Sequence, residues 1–208
     1  MCIFAATINY FQRGGLIMWP LLLCSLAAVV LAVERYLFYK QADSGSHFAL
    51  VFCRLLAEDK LPEATKLANG TKGETAKFAA RVLAEHHSYA RSTAYVESQA
   101  ERVISHFEEF LSYLSVIVTL SPILGLLGTI TGMMSAFNNF NFRGDNPLAV
   151  TAGVAEALIT TVFGLCIAVL AICLHTYFMH RLTRITMDIE DISRSLLETL
   201  TNGESKED

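Results

Sequence analysis

Charge is scarce in this sequence. Asp, Glu, Lys and Arg make up 17% of the 208 residues, and three long stretches hold almost none. The length alone would allow one or two soluble domains, but a mean hydropathy of +0.42 and the gathering of apolar residues into uncharged runs argue against them. The net charge of -4 gives no reason to expect nucleic acid as a partner. The five cysteines, Cys2, Cys24, Cys53, Cys166 and Cys173, form no Cys-x-x-Cys pair, so neither a disulfide framework nor a thiolate zinc site is indicated; they read as buried or membrane-packing thiols. No Gly-rich phosphate loop, His-Glu-x-x-His or Gly-x-Ser-x-Gly motif is present, and no His/Cys cluster has metal spacing. His86 and His87 are adjacent and point about 100° apart on a helix, a poor chelate. The chain therefore reads as a non-enzyme with no catalytic residues, no metal and no organic cofactor. No basic segment precedes the short apolar start, so a secretory signal is not indicated.

What is present is a set of three uncharged runs, each long enough to span a bilayer, which takes roughly 20 apolar residues. The first gives a span over residues 14–36, closed by Glu34 and Arg35. Trp19 at one end and Tyr36 and Tyr39 at the other suit interfacial aromatic belts, and Pro20 sits in the first turn, where a missing N–H does little harm. Residues 1–13 precede it, as an interfacial helix or a disordered end. Residues 37–112 are polar and helical, with a short helix over 48–57 and another from Pro62 to Gly70. Val96, Ala100, Val103, Phe107, Phe110 and Leu114 then recur at spacings of four and three, an amphipathic stripe that no breaker separates from the second span at 113–137. One very long helix is predicted there. Pro122 should kink it near Val118, and Gly125, Gly128 and Gly132 share one face suited to close packing. A polar turn over residues 138–149 leads to the third span at 150–178. Residues 179–208 continue it as an amphipathic helix, with Leu182, Ile185, Ile189, Ile192 and Leu196 on one stripe and a charged tail that should fray. His175 and His180, at the end of the span, fit a helix C-terminal dipole or the membrane interface. The predicted fold class is an all-α integral membrane protein with three transmembrane helices and long cytoplasmic helical extensions.

Basic residues set the orientation. Arg35, Lys40, Arg102, Arg181 and Arg184 flank the spans on one side, against Arg13 and Arg143 on the other. The positive-inside rule places the N-terminus outside and both the large loop and the C-terminus in the cytoplasm.

The apolar run from Leu148 to Leu174 carries one acid or base, Glu156, among small and hydroxylated residues that include Gly153, Ala157, Thr160, Thr161 and Gly164. A carboxylate in hydrocarbon costs a few kcal/mol even on lenient scales, so it must face protein, water or a partner. Two roles stand side by side: a proton or ion path, or a bond that fixes register in an oligomer. Gly153 and Thr160 lie on the Glu156 face, whereas Thr161 is rotated about 140° from it.

The segments SPILGLLGTITGMMSAF and GVAEALITTVFGLCIAV, with GGLIMWPLLLCSLAAVVLAVERYLFY before them, resemble the spans of the ExbB/TolQ/MotA proton-channel family. The resemblance covers the whole three-span layout. It implies a homo-oligomer, a pentameric ring, around a dimer of single-span partners of the ExbD or TolR type. The partner's membrane Asp carries protons through the ring, with the proton as coupling ion, and the flow does work on a TonB- or TolA-like protein. Glu156 matches the family's third-span glutamate, Thr161 its pore threonine and Thr129 the threonine of the second-span Gly-Thr pair. By the helix wheel Thr160 lies nearer to Glu156 than Thr161 does, and the family usually has Ala at that position. Thr161 can still face the pore if Glu156 sits between subunits. The implied role is ExbB-like, using the proton motive force at the bacterial inner membrane to energise TonB-dependent transport. A TolQ-like subunit of the Tol-Pal envelope system and a non-conducting scaffold are the alternatives. The MotA branch, with four spans and a larger cytoplasmic domain, fits less well.

Overall fold

The computed structural model describes residues 16–84, 89–138 and 147–204. Among them are six α-helices and no strand: α1 (Met18–Ala42), α2 (Ser46–Ala57), α3 (Leu61–Gly70), α4 (Glu74–Ala84), α5 (Tyr89–Asn138) and α6 (Pro147–Glu204). Three apolar helical stretches, starting in α1, α5 and α6, are long enough to cross a membrane. The readings made for residues 1–13, for His86 and His87, for most of the 138–149 turn and for the last four residues lie outside the described part.

The long helices follow from periodicity. α5 carries its polar stripe and its apolar span as one 50-residue helix, with Pro122 inside it. Val96, Val103, Phe107 and Leu114 of the predicted stripe are buried, but Leu111 replaces Phe110 in the series. Phe110 lies half-exposed with the Arg35 guanidinium 4.0 Å above its ring. On α6, Leu182, Ile185, Ile189, Ile192 and Leu196 are all buried. That helix runs on to Glu204, so helical structure extends into the predicted tail. His175 and His180 then sit more than twenty residues inside a helix, which removes the C-terminal dipole as their explanation and leaves the interface.

The chain divides into two units. One comprises residues up to Ala32 together with Ser112–Thr176, and the other Val33–Leu111 together with Tyr177–Asp208. In the second unit one aromatic cluster joins the three long helices. Tyr39 of α1 stacks on Phe178 of α6 at 5.7 Å and packs on Phe107 of α5 at 5.5 Å, and its hydroxyl donates to the Phe107 carbonyl at 3.3 Å. Tyr39 is wholly buried, so it belongs to this core and not to an aromatic belt; Trp19 and Tyr36 are exposed, as a belt requires. Arg35 is likewise drawn inward, 2% exposed, with the Phe38 ring 4.7 Å from its guanidinium. Phe48 and Phe52 stack on α2 and face the same way, one turn apart.

The α3–α4 connection shows where a glycine is needed. Gly70 ends α3 in ordinary helical geometry, and Thr71 closes the helix by giving both its N–H and its hydroxyl to the Leu67 carbonyl, at 3.1 and 2.8 Å. The left-handed position falls at Gly73, with φ +128°. Among the described cysteines there is no disulfide; Cys24 and Cys53 are half-buried, whereas Cys166 and Cys173 are exposed in the single chain on the apolar part of α6, which leaves the membrane-packing reading for those two.

Candidate functional site

In the first unit α5 and α6 pack as an antiparallel pair, read from which positions meet. A Cβ built on Gly125 would lie 3.3 Å from the Thr161 Cα, one on Gly128 would overlap the Thr160 side chain, and one on Gly132 would lie 3.0 Å from the Ala157 Cβ. Continuing the series, a Cβ on Gly153 would lie 2.5 Å from the Ala136 Cβ. As numbers rise along α5 they fall along α6. The backbones come closest at Gly164, where an added Cβ would come within 2.7 Å of the Ser121 carbonyl oxygen and 2.9 Å of the Gly125 Cα. Small residues let two backbones approach this closely, and in a bilayer such packing, not a hydrophobic drive, holds helices together.

A side-chain hydrogen bond crosses the pair. The Thr161 hydroxyl donates to the Gly125 carbonyl at 3.0 Å, reaching past its own Ala157 carbonyl at 3.4 Å. In a helix the Gly125 carbonyl also accepts the N–H four residues on, that of Thr129. The two threonines singled out in the sequence thus meet the same turn of α5. The Thr129 hydroxyl itself donates to the Leu126 carbonyl at 2.6 Å. Thr160 gives its hydroxyl to the Glu156 carbonyl at 3.0 Å and is buried against Gly128. Both Thr160 and Thr161 therefore belong to the broad face that α6 turns to α5, made also by Gly153, Ala157 and Gly164. Pro122 leaves the α5 helix unbroken; the Ser121 hydroxyl beside it is buried and bonds the Ile117 carbonyl at 2.8 Å.

Glu156 lies at the flank of this face and is half-buried. Its carboxylate has no hydrogen bond or ion pair among the described residues. The structure brings Thr161 and Thr129 to one turn and leaves the Glu156 carboxylate without a partner among the described residues. No group of three His, Cys, Asp or Glu able to hold a metal occurs among the described residues. Sequence reading missed Arg35, which counted only as a basic flank of the first span. Of its two ring partners Phe38 is three residues on, but the nearer ring, Phe110, is 75 residues away, and no linear signal joins it to Arg35.

Fold and site define a helical, multi-pass membrane protein built on a tightly packed pair of apolar helices. Residues 68–191, more than half the chain, match the MotA/TolQ/ExbB proton channel family. A biopolymer transport protein, ExbB-like 1, of Synechocystis sp. is 30% identical over 171 residues, 79% of this chain and 67% of its own length. Biopolymer transport protein ExbB of Neisseria meningitidis serogroup A is 26% identical over 199 residues, 88% of this chain and 89% of its own. The solved structure of C. jejuni MotAB shares the fold, with a TM-score of 0.57 at 20% identity, over 93% of this chain and 86% of that one. The chain belongs to the MotA/TolQ/ExbB proton channel family.

Proposed function

We propose that the chain is the ExbB-like, multi-copy subunit of a proton-driven motor in the bacterial inner membrane. With an ExbD-type single-span partner it uses the proton motive force to energise a TonB-like protein. Five copies ring the partner dimer, with the N-terminus periplasmic and the large loop and C-terminus cytoplasmic. The observation that carries this reading is Glu156, a carboxylate within an apolar helix that finds no bond among the described residues. Its cost of a few kcal/mol is relieved by water, another copy or the partner. Thr161 and Thr129 supply oxygens on the same helix pair. Each hydroxyl proton is spent on a carbonyl, at Gly125 and at Leu126, so the oxygen lone pairs remain to accept from water or from a protonated partner Asp. One elementary charge crossing 100 mV supplies roughly 2.3 kcal/mol, comparable with breaking a few weak contacts at a moving interface. The names of the two relatives favour the TonB-type over the Tol-type assignment.

The test is proton uptake into liposomes holding this chain, its single-span partner, or both. Uptake should require both. Glu156→Gln should lower it by at least about tenfold, equivalent to about 1.4 kcal/mol on the barrier, with the complex still assembled. Unchanged uptake in Glu156→Gln would remove that residue from the path. Loss of assembly would assign it to register instead. No uptake in any preparation would support the scaffold reading.

A further inference from the structure

The α3–α4 turn folds back onto the end of α1. A Cβ on Gly73 would lie 2.8 Å from the Ala42 carbonyl oxygen and 2.9 Å from the Ser44 nitrogen, so only glycine allows this approach. The Ala76 N–H donates to the Ser44 hydroxyl oxygen at 3.2 Å and fastens the start of α4 to the same place. Between the end of α1 and this turn lies a cavity of 770 Å³, with Phe38 in its wall. Lys40, Lys72, Lys77, Asp43 and Glu74 supply its charges.

Both acids are already engaged. Glu74 takes the Lys77 ammonium at 2.8 Å. Asp43 accepts the Gly45 N–H at 2.8 Å and lies 3.5 Å from the Arg181 guanidinium. Lys40 and Lys72 make no ion pair among the described residues. The lining therefore sums to one net positive charge, with Lys40 and Lys72 outside any ion pair among the described residues and the Asn69 amide beside them as a further donor. Lys40 is seven residues past Val33, the last residue of the uncharged run, or about 10 Å along the helix. A lysine side chain spans most of the distance from there to the headgroup layer, which is about 5–7 Å thick on each face of a bilayer.

We propose that this cavity binds a phosphate group through Lys40 and Lys72, carried either by an anionic phospholipid headgroup or by a soluble phosphate. Two ammonium groups and an amide give several donors to one multi-oxygen anion, and clustered basic residues beside a span attract anionic lipid. The volume exceeds that of a bare phosphate and leaves room for the rest of a headgroup.

The full chain in detergent micelles is titrated with phosphatidylglycerol and read by native mass spectrometry, and in parallel with inorganic phosphate by calorimetry. At least one probe should bind saturably. Lys40→Ala with Lys72→Ala should weaken that binding about thirtyfold, roughly fivefold per lysine. Lys40→Arg with Lys72→Arg should retain it, which separates lost charge from a damaged fold. Lys66→Ala, an exposed lysine of α3 outside the cavity, should bind as the wild type does. Lysine-dependent binding of phosphatidylglycerol assigns the headgroup, and lysine-dependent binding of phosphate alone assigns the soluble ion. The proposal is overturned if neither probe binds saturably, if the double alanine variant binds like wild type, if the arginine variant loses binding, or if Lys66→Ala weakens binding as much.

Discussion

Arg35 illustrates how a single side chain can be held against its own solvation. Its guanidinium lies over the rings of Phe110 and Phe38, and its Nε donates to Glu34 at 3.3 Å. Its Nη1 is buried and has no partner. Cation–π contacts return about 2 kcal/mol when desolvated, less than the several kcal/mol that burying a charge costs. Arg35→Met, which keeps the volume and removes the charge, is expected to leave the thermal midpoint in detergent unchanged or raised. Arg35→Ala is expected to lower it by about 2 kcal/mol or more, because it opens a cavity. Tyr39 is the opposite case: burial pushes its phenol up to about 12, so it stays protonated and keeps its bond to the Phe107 carbonyl. Tyr39→Phe should cost about 1 kcal/mol in the same measurement. Asp188 is raised above the usual aspartate range, first by burial and then by Asp43 and Asp191, with Arg184 pulling it back. The folded chain binds that proton more tightly than the unfolded chain does. Its contribution is fully present below the ordinary aspartate value and is lost as pH rises through the elevated one. Asp188→Asn should therefore raise the melting temperature at neutral pH and bring no gain below about pH 4.

At the scale of elements, the α5–α6 pair depends on atoms that cannot move aside. The Cβ added by Gly164→Ala would press on the Ser121 carbonyl and the Gly125 Cα, both backbone. We expect a loss of about 1–3 kcal/mol, seen as a lower melting temperature of the purified protein. Gly70→Ala is the control: nothing lies within 4 Å of the new Cβ, and φ there is not left-handed. It should gain about 0.4–1 kcal/mol by restricting the unfolded chain. A gain at Gly164 or a large loss at Gly70 would contradict the packing described. The glycine face on α5 was legible in the sequence because Gly125, Gly128 and Gly132 repeat with the helix. The stripe on α5 was legible for the same reason, except at Phe110, where Arg35 competes for the ring. Gly70 was read as the helix stop because glycine often follows a helix, yet Thr71 does that work with its hydroxyl.

At the scale of the whole molecule, the apolar spans are largely uncovered within one chain. Of the most apolar windows only 17, 28 and 22% of residues are buried. Lipid or further copies must cover the rest, and small residues do not favour lipid. The proposed ring predicts a single five-chain species by native mass spectrometry in mild detergent. Gly128→Leu, whose side chain would displace Thr160, should shift that population toward smaller species.

The sequence by itself determined the three spans, the two amphipathic stripes and the lone acid at Glu156, since hydropathy and a 3.6-residue period depend only on local order. It also carried the family resemblance that the residue 68–191 match bears out. Only the tertiary structure decided which faces meet. It placed Thr161 on the Gly125 carbonyl, put Thr160 and Thr161 on one packed face, and drew Tyr39 and Arg35 inward. The reason is physical: periodicity fixes a side chain's direction around its own helix axis. The register between two helices is set by the fit of surfaces that lie far apart in the chain.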